Sequence, residues 1–234
     1  MRLADVTAER ALGQIYDDVL APSFPSTELV SRPWLLESAA SGAVVVTGAY
    51  EGEGPTAVAV SETISPGVVL LSYLAALPTS RGTGVGSRLL TSVRERVIDD
   101  GGVLLLAEVE RPDRHTGSAE HGDPAARLRF YARHGAQVLD LPYVQPPIRP
   151  GEDPVPGMLL LALYAAPAVL RNGGTGVDGQ LVATAVEALL EEQGADGAWV
   201  AALRSAARAP VVTIRPATQW QSVAPSAAIP PRRD

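Results

Sequence analysis

A mixed α/β fold with a mostly antiparallel central sheet flanked by helices is predicted by three observations. Three valine-rich runs, at 43–50, 56–63 and 68–77, are separated by glycine- and proline-bearing turns and read as a meander. A glycine-rich loop joins the last of these runs to a helical pattern, and a continuous apolar run at 103–109 follows that helix and reads as a buried strand. The 234 residues are 46% apolar with mean hydropathy +0.11, ample for a buried core in one large domain or a domain with an appendage.

The elements follow in order. Residues 8–20 carry Ala11, Ile15, Val19 and Leu20 on one helical stripe, and a loop with Pro22 and Pro25 ends it. Residues 33–40 read as a second helix with Pro33 at its start. After the meander, 84–98 is helical and closes on Asp99, Asp100, Gly101 and Gly102. The polar stretch 111–123 is expected to be a long mobile loop. Residues 124–134 form a helix with Gly135 as its stop, and 137–141 and 157–163 are strands joined by a proline-rich connection. Beyond Pro167 come a glycine-rich linker at 172–179, helices at 181–193 and 198–209, and a short strand at 210–215. Residues 217–234, rich in proline, alanine and serine, are expected to be disordered. The domain organisation expected is therefore 1–166, a linker and C-terminal helical extension at 167–216, and a tail at 217–234.

Composition excludes several chemistries. There is no cysteine, hence no disulfide, thiolate metal site or cysteinyl intermediate. All 19 basic residues are arginine, so no lysine Schiff base can form. A net charge of −7 disfavours a nucleic-acid surface and suits a cationic partner. Acids within the first ten residues do not fit a signal peptide, and the longest apolar run, 157–170, is too short to span a bilayer and is broken by Pro167. A soluble cytoplasmic protein without membrane or nucleic-acid partners is expected, and the Ala, Gly, Arg and Pro bias suggests a bacterial source.

The loop carries the chemistry. Gly82, Gly84 and Gly86 remove every second side chain at a helix N-terminus, so backbone N–H groups can converge on one phosphate-sized space. The lysine of a P-loop is missing, and Ser87 stands where a dinucleotide fingerprint needs its third glycine. The remaining pattern is Arg81, two residues, Gly84, one residue, Gly86. A plain strand-to-helix turn is the structural alternative.

That pattern resembles the GNAT superfamily of acyl-CoA N-acyltransferases, whose motif is arginine or glutamine, two residues, glycine, one residue, glycine or alanine. Pro78 and Gly82 also sit where that family often has them, and Phe130, Tyr131 and Gly135 resemble its Phe-Tyr, three residues, glycine segment. The resemblance implies acetyl-CoA, or another short acyl-CoA, as co-substrate without a metal, and direct transfer of the acyl group to the primary amine of a small molecule. It places Leu77, Arg81, Gly82, Thr83, Gly84, Val85, Gly86, Ser87 and Arg88 around the CoA pyrophosphate. Either arginine could instead be a solvated surface residue. Tyr131 matches the motif tyrosine that serves the departing thiolate; the alternative is a core tyrosine beside Phe130.

Where many members of the family carry a glutamate, on the strand before the loop, residues 72–76 hold no acid, and Pro124 and Arg127 replace the usual asparagine and alanine upstream of the tyrosine. Glu108 and Glu110, two residues apart at the end of a strand, share a face and are candidates for the base, with Glu108 deeper in the apolar run. Both could instead flank an exposed strand end. Glu28 and Tyr143 are candidates for lining the acceptor pocket. His115, His121 and His134 have no metal-ligand spacing. An acyl-CoA-binding or regulatory module, or other thioester chemistry, stays open beside N-acylation, and a homodimer through edge strands is compatible with the pattern.

Overall fold

The computed structural model describes all residues except 53, 118–121, 150–151, 193–196 and 227–234. The chain forms two compact units that divide within one strand, after Leu105. Among the described residues no helix is long and apolar enough to cross a membrane.

The first unit contains β1 (Arg2–Asp5), α1 (Glu9–Ile15), α2 (Arg32–Ser41), β2 (Val44–Glu51), β3 (Gly54–Ser65), β4 (Val68–Ala76), α3 (Val85–Asp99) and the start of β5 (Leu104–Glu110). Strands β1 to β4 form an antiparallel meander in chain order. The first of them was not expected from the sequence: four residues are too few to show an alternation, and pairing with β2 is what makes them a strand. The helical stripe at 8–20 is also not one α-helix. After Ile15 it widens into a π-turn over Tyr16–Leu20, where the Ala21 amide donates to the Tyr16 carbonyl at 2.9 Å. Leu12, Ile15, Leu20 and Leu35 pack with Val58, Val60 and Tyr73 in one cluster.

Local chemistry sets the helix ends. Ser31 caps α2 by accepting from the Trp34 amide, with a proline in the first turn, and Gly42 closes the helix at φ 78°. Helix α3 buries Val85, Leu89, Leu90, Val93 and Val97, one face of a 3.6-residue repeat. Near its C-terminal end Arg96 reaches Asp5 of β1 at 2.6 Å and Thr47 of β2 at 3.2 Å. These contacts tie α3, and with it the glycine loop at its head, to the sheet.

The second unit takes in the rest of β5, then α4 (Pro124–Arg133), β6 (Gln137–Leu139), β7 (Met158–Ala165), β8 (Leu170–Arg171), β9 (Gly176–Asp178), α5 (Gly179–Glu192), α6 (Ala198–Ala207) and β10 (Val211–Pro216). Its strand order is β5-β7-β6-β10-β9-β8, and the pairs from β7 to β8 are antiparallel. Asp123 caps α4 by accepting from the Ala125 amide at 2.9 Å, and Gly135 ends it at φ 78°.

Three expectations for the C-terminal part are corrected here. Besides the strand expected at 210–215, which is β10 and pairs directly with β6 of the preceding core, the extension adds two strands, β8 and β9. The glycine-rich stretch 172–179 is not a flexible linker. It turns into β9, with Val177 fully buried, and a side chain at Gly179 would collide with the Ala209 carbonyl oxygen. Glycine is there for close approach, not for freedom. The segment from Ala217 is not disordered at its start, since Ala217–Ser222 forms a 3-10 turn with Ala217 and Val223 each 1% exposed. The Ala217 amide donates to the Ala136 carbonyl at 3.0 Å. Residues 227–234 of the expected tail lie outside the described residues.

Candidate active site

The phosphate loop belongs to the first unit. Strand β4 ends at Ala76, and the Leu77 carbonyl accepts from the amides of Ser80 and Arg81 at 2.9 and 3.1 Å, a tight turn that begins with Pro78. Thr83 folds back, its hydroxyl donating to the Ser80 carbonyl at 2.7 Å. Gly82 and Gly84 then take φ of 81° and 85°, and Gly84 is the N-cap of α3 without any side-chain cap. Within this stretch the Thr83 amide donates to the Ser80 carbonyl at 3.4 Å, and the next amide with an internal partner is that of Arg88, which donates to the Gly84 carbonyl at 3.1 Å.

Among the described residues, the amides of Gly82, Gly84, Val85, Gly86 and Ser87 meet no protein acceptor. A helix end leaves its first N–H groups unpaired unless something caps it, and here the cap has no side chain that could fold over them. A Cβ on Gly82 or Gly84 would meet nothing within 4 Å, so the space beside the loop is open. The loop therefore offers convergent donors, the positive end of a fifteen-residue helix and two exposed arginines. Arg81 is steadied by its Nε, which donates to the Ala76 carbonyl at 3.2 Å, while Arg88 stands exposed one turn into the helix.

The same unit holds an acid that sequence reasoning missed. Strand β4 has no carboxylate, but β3 bears Glu62, and the Ser72 hydroxyl donates to it at 2.5 Å. The meeting depends on a bulge, because the register steps from Val60–Tyr73 to Ser61–Leu71 and leaves Ser72 as the extra residue on β4. The trace in the sequence is the polar pair Ser61 and Glu62 directly after the apolar run Ala57–Val60. Glu28, expected to line an acceptor pocket, lies in the loop after α1; its carbonyl accepts from the Tyr73 hydroxyl at 3.2 Å, and that hydroxyl also accepts from the Val30 amide at 3.1 Å.

The remaining candidates belong to the second unit. Glu108 accepts from the Tyr143 hydroxyl on Oε1 at 2.5 Å and from the Gln145 side-chain amide on Oε2 at 3.1 Å. Tyr143, expected to line an acceptor pocket, is 1% exposed, with its hydroxyl turned to Glu108. Burial first, and then the Glu108 charge, push the Tyr143 phenol well above its ordinary range, which keeps it protonated and donating. Glu110, on the same face, pairs instead with Arg127 of α4 at 3.0 Å, and Nδ1 of His115 lies 3.5 Å from it.

Tyr131, on α4, is 5% exposed and rests edge-on against Phe130, with ring centroids 5.2 Å apart. Burial, only partly offset by Arg127, raises its phenol to about 12. Its hydroxyl has no hydrogen-bond partner among the described residues. Of the histidines, His134 sits at the C-terminus of α4 with Nδ1 2.8 Å from the Phe130 carbonyl, and His115 has Nε2 2.9 Å from the Pro156 carbonyl. His121 lies outside the described residues. Among those that are described, no cluster of three His, Asp or Glu side chains could hold a metal ion.

The start of the loop at 111–123 is held, not mobile. Arg111 is 3% exposed; its amide donates to the Gly157 carbonyl at 2.9 Å and its guanidinium to the Val223 carbonyl at 2.8 Å, above the Trp220 ring.

No protein-family model matches the sequence, and no curated protein does. Solved structures do match in fold. One, from Bacteroides thetaiotaomicron and assigned to the acetyltransferases of the GNAT family, is 23% identical with a TM-score of 0.56, over 69% of this chain and 86% of that one. Another, smu.2055 from Streptococcus mutans, is 15% identical with a TM-score of 0.51, over 70% of this chain and 99% of that one. The chain has the fold of the GNAT-family acetyltransferases.

Proposed function

We propose that this protein is an acyl-CoA-dependent N-acyltransferase that moves an acetyl or other short acyl group directly to the primary amine of a small molecule. The observation that carries this reading is the row of five unpaired amides from Gly82 to Ser87 at the head of α3, in a chain with the GNAT fold. Five donors without a protein acceptor, at the positive end of a helix dipole, are suited to a diphosphate. Arg81 and Arg88 add charge for the remaining phosphate oxygens.

The chemistry then assigns itself by protonation state. An amine arrives as an ammonium and must lose one proton before it can attack; Glu108 is the carboxylate assigned to take it. The nitrogen lone pair forms the new C–N bond at the thioester carbonyl, the C–S bond breaks, and the CoA thiolate leaves. Tyr131, whose phenol stays protonated to about pH 12, supplies a proton to the thiolate and regains the second one shed by the nitrogen. The proton on Glu108 passes to solvent. No cysteinyl intermediate enters, in keeping with a chain that has no cysteine. A net charge of −7 favours a cationic acceptor over an anionic one.

The test is release of the CoA thiol across a panel of small amines, for wild type, Tyr131→Phe, Glu108→Gln and, for comparison, Glu62→Gln. Glu108→Gln is expected to lower kcat/KM by roughly a hundredfold or more at neutral pH, the ordinary weight of a general base, with acetyl-CoA affinity unchanged. Failure of wild type to bind acetyl-CoA would overturn the reading. A loss confined to Glu62→Gln would move the base to the bulged strand pair.

A further inference from the structure

The segment that follows β10 brings two groups to one buried cation. After the 3-10 turn at Ala217–Ser222 the Val223 amide donates to the Trp220 carbonyl at 3.1 Å, so that a ring and a carbonyl three residues apart meet the same guanidinium. Arg111 lies over the Trp220 ring, 5.3 Å from its centroid, and donates from Nη1 to the Val223 carbonyl at 2.8 Å. Asp113 takes the other edge, accepting from Nε at 3.0 Å and from Nη2 at 3.4 Å. The backbone of Arg111 anchors the loop that begins there. Its carbonyl accepts from the amides of Arg114 and His115, each at 3.1 Å, and its amide donates to Gly157, where an added Cβ would come within 2.7 Å of the Arg114 Cβ.

We propose that Trp220 and Val223 are positioning residues which, through Arg111, hold the loop at 111–117 in place, so that the C-terminal segment sets the acceptor side of the reaction. The idea rests on the reading of the chain as an N-acyltransferase whose base, Glu108, lies on the strand that runs into this loop. A guanidinium cannot shed its charge, and at 3% exposure Arg111 depends on its partners for the hydration it has lost. A cation over an indole face and a charge-assisted hydrogen bond are both strengthened by that burial. Were the segment to lift, the guanidinium would keep Asp113 but lose its other partners, and it would have to turn toward water. The loop would be drawn with it, because the amide and carbonyl of Arg111 are its ties to Gly157, Arg114 and His115. Docking of the segment and order in the loop are thus one event. The amides from Gly82 to Ser87, which serve the cofactor, have no part in this set of bonds.

The experiment reads the loop directly, by amide hydrogen exchange with mass spectrometry on the full chain, in wild type, Trp220→Leu and Trp220→Phe. Leucine fills space without offering a π face, and phenylalanine restores one. Trp220→Leu is expected to speed exchange over 110–117 by roughly fivefold, the weight of a partly buried cation–π contact, with Trp220→Phe nearer to wild type. The KM for the amine should rise by a similar factor in Trp220→Leu, with acetyl-CoA affinity unaltered. Unchanged exchange over 110–117 overturns the proposal. An equal rise in β6 and β7, which would mean general loosening, overturns it too, and so does faster loop exchange with an unaltered KM for the amine. If Trp220→Leu does not fold, Arg111→Lys, which keeps the charge and gives up the planar fork, decides by the same readings. If wild type turns over no amine, exchange decides alone: a rise confined to 110–117 upholds the hold on the loop, and the failure belongs to the acyltransferase reading.

Discussion

At the scale of single residues, identical side chains have been given different work by burial and partners. Tyr131 and Tyr143 are both buried, but one hydroxyl has no hydrogen-bond partner among the described residues and the other donates to Glu108. The unfolded Tyr131 phenol titrates near pH 10, and the folded one near 12, because the phenolate is desolvated. Between those values the folded state keeps a proton that the unfolded state has given up. Stability linked to Tyr131 is therefore complete below pH 10 and lost as pH rises toward 12, by about 3 kcal/mol in all. Urea unfolding at pH 9 and at pH 11.5 should show wild type losing ground to Tyr131→Phe; an unchanged difference between the two proteins would contradict it. Glu108 and Tyr131 were both legible as candidates from strand position and motif spacing. The bond between Glu108 and Tyr143 was not, since nothing local links residues 35 apart in sequence.

At the scale of elements, the loop between β4 and α3 depends on backbone conformation more than on side chains. Gly84 sits at φ 85° with open space where a Cβ would be, so alanine there meets no clash and suffers only the left-handed backbone. Gly84→Ala should cost roughly 1–2 kcal/mol in urea unfolding and weaken acetyl-CoA binding by reorienting the amides of Val85 to Ser87. Binding that survives the substitution intact would argue against those amides as the cradle. The loop was readable because glycine spacing reports directly on backbone freedom. The Ser72 bulge was not, because a one-residue slip between two strands leaves no local signature, and with it the approach of Glu62 went unseen.

For the molecule as a whole, the C-terminal third is the part where composition misled. Glycine, alanine and proline suggested a linker and a loose tail, yet β10 lies between β6 and β9, and the segment that follows it is pinned by Arg111. Ending the chain at residue 210 should therefore strip protection from amide exchange in β6 and β9, which a detachable appendage would not do. Arg111→Ala, which leaves the Val223 carbonyl without its charged donor, should destabilise the second unit by about 2 kcal/mol. A truncated protein with the exchange pattern of the full chain would show that the extension is an independent addition.

Local chemistry written in the sequence determined the helices with their caps, the meander, the glycine loop and the candidate phenol and carboxylates, because propensity, alternation and glycine spacing act over a few residues. Tertiary structure alone decided which acid meets the Arg127 guanidinium and which meets Tyr143 and Gln145, and that the C-terminal strands complete a sheet. Those outcomes depend on contacts between residues far apart in the chain, where burial and register, not composition, set the energy.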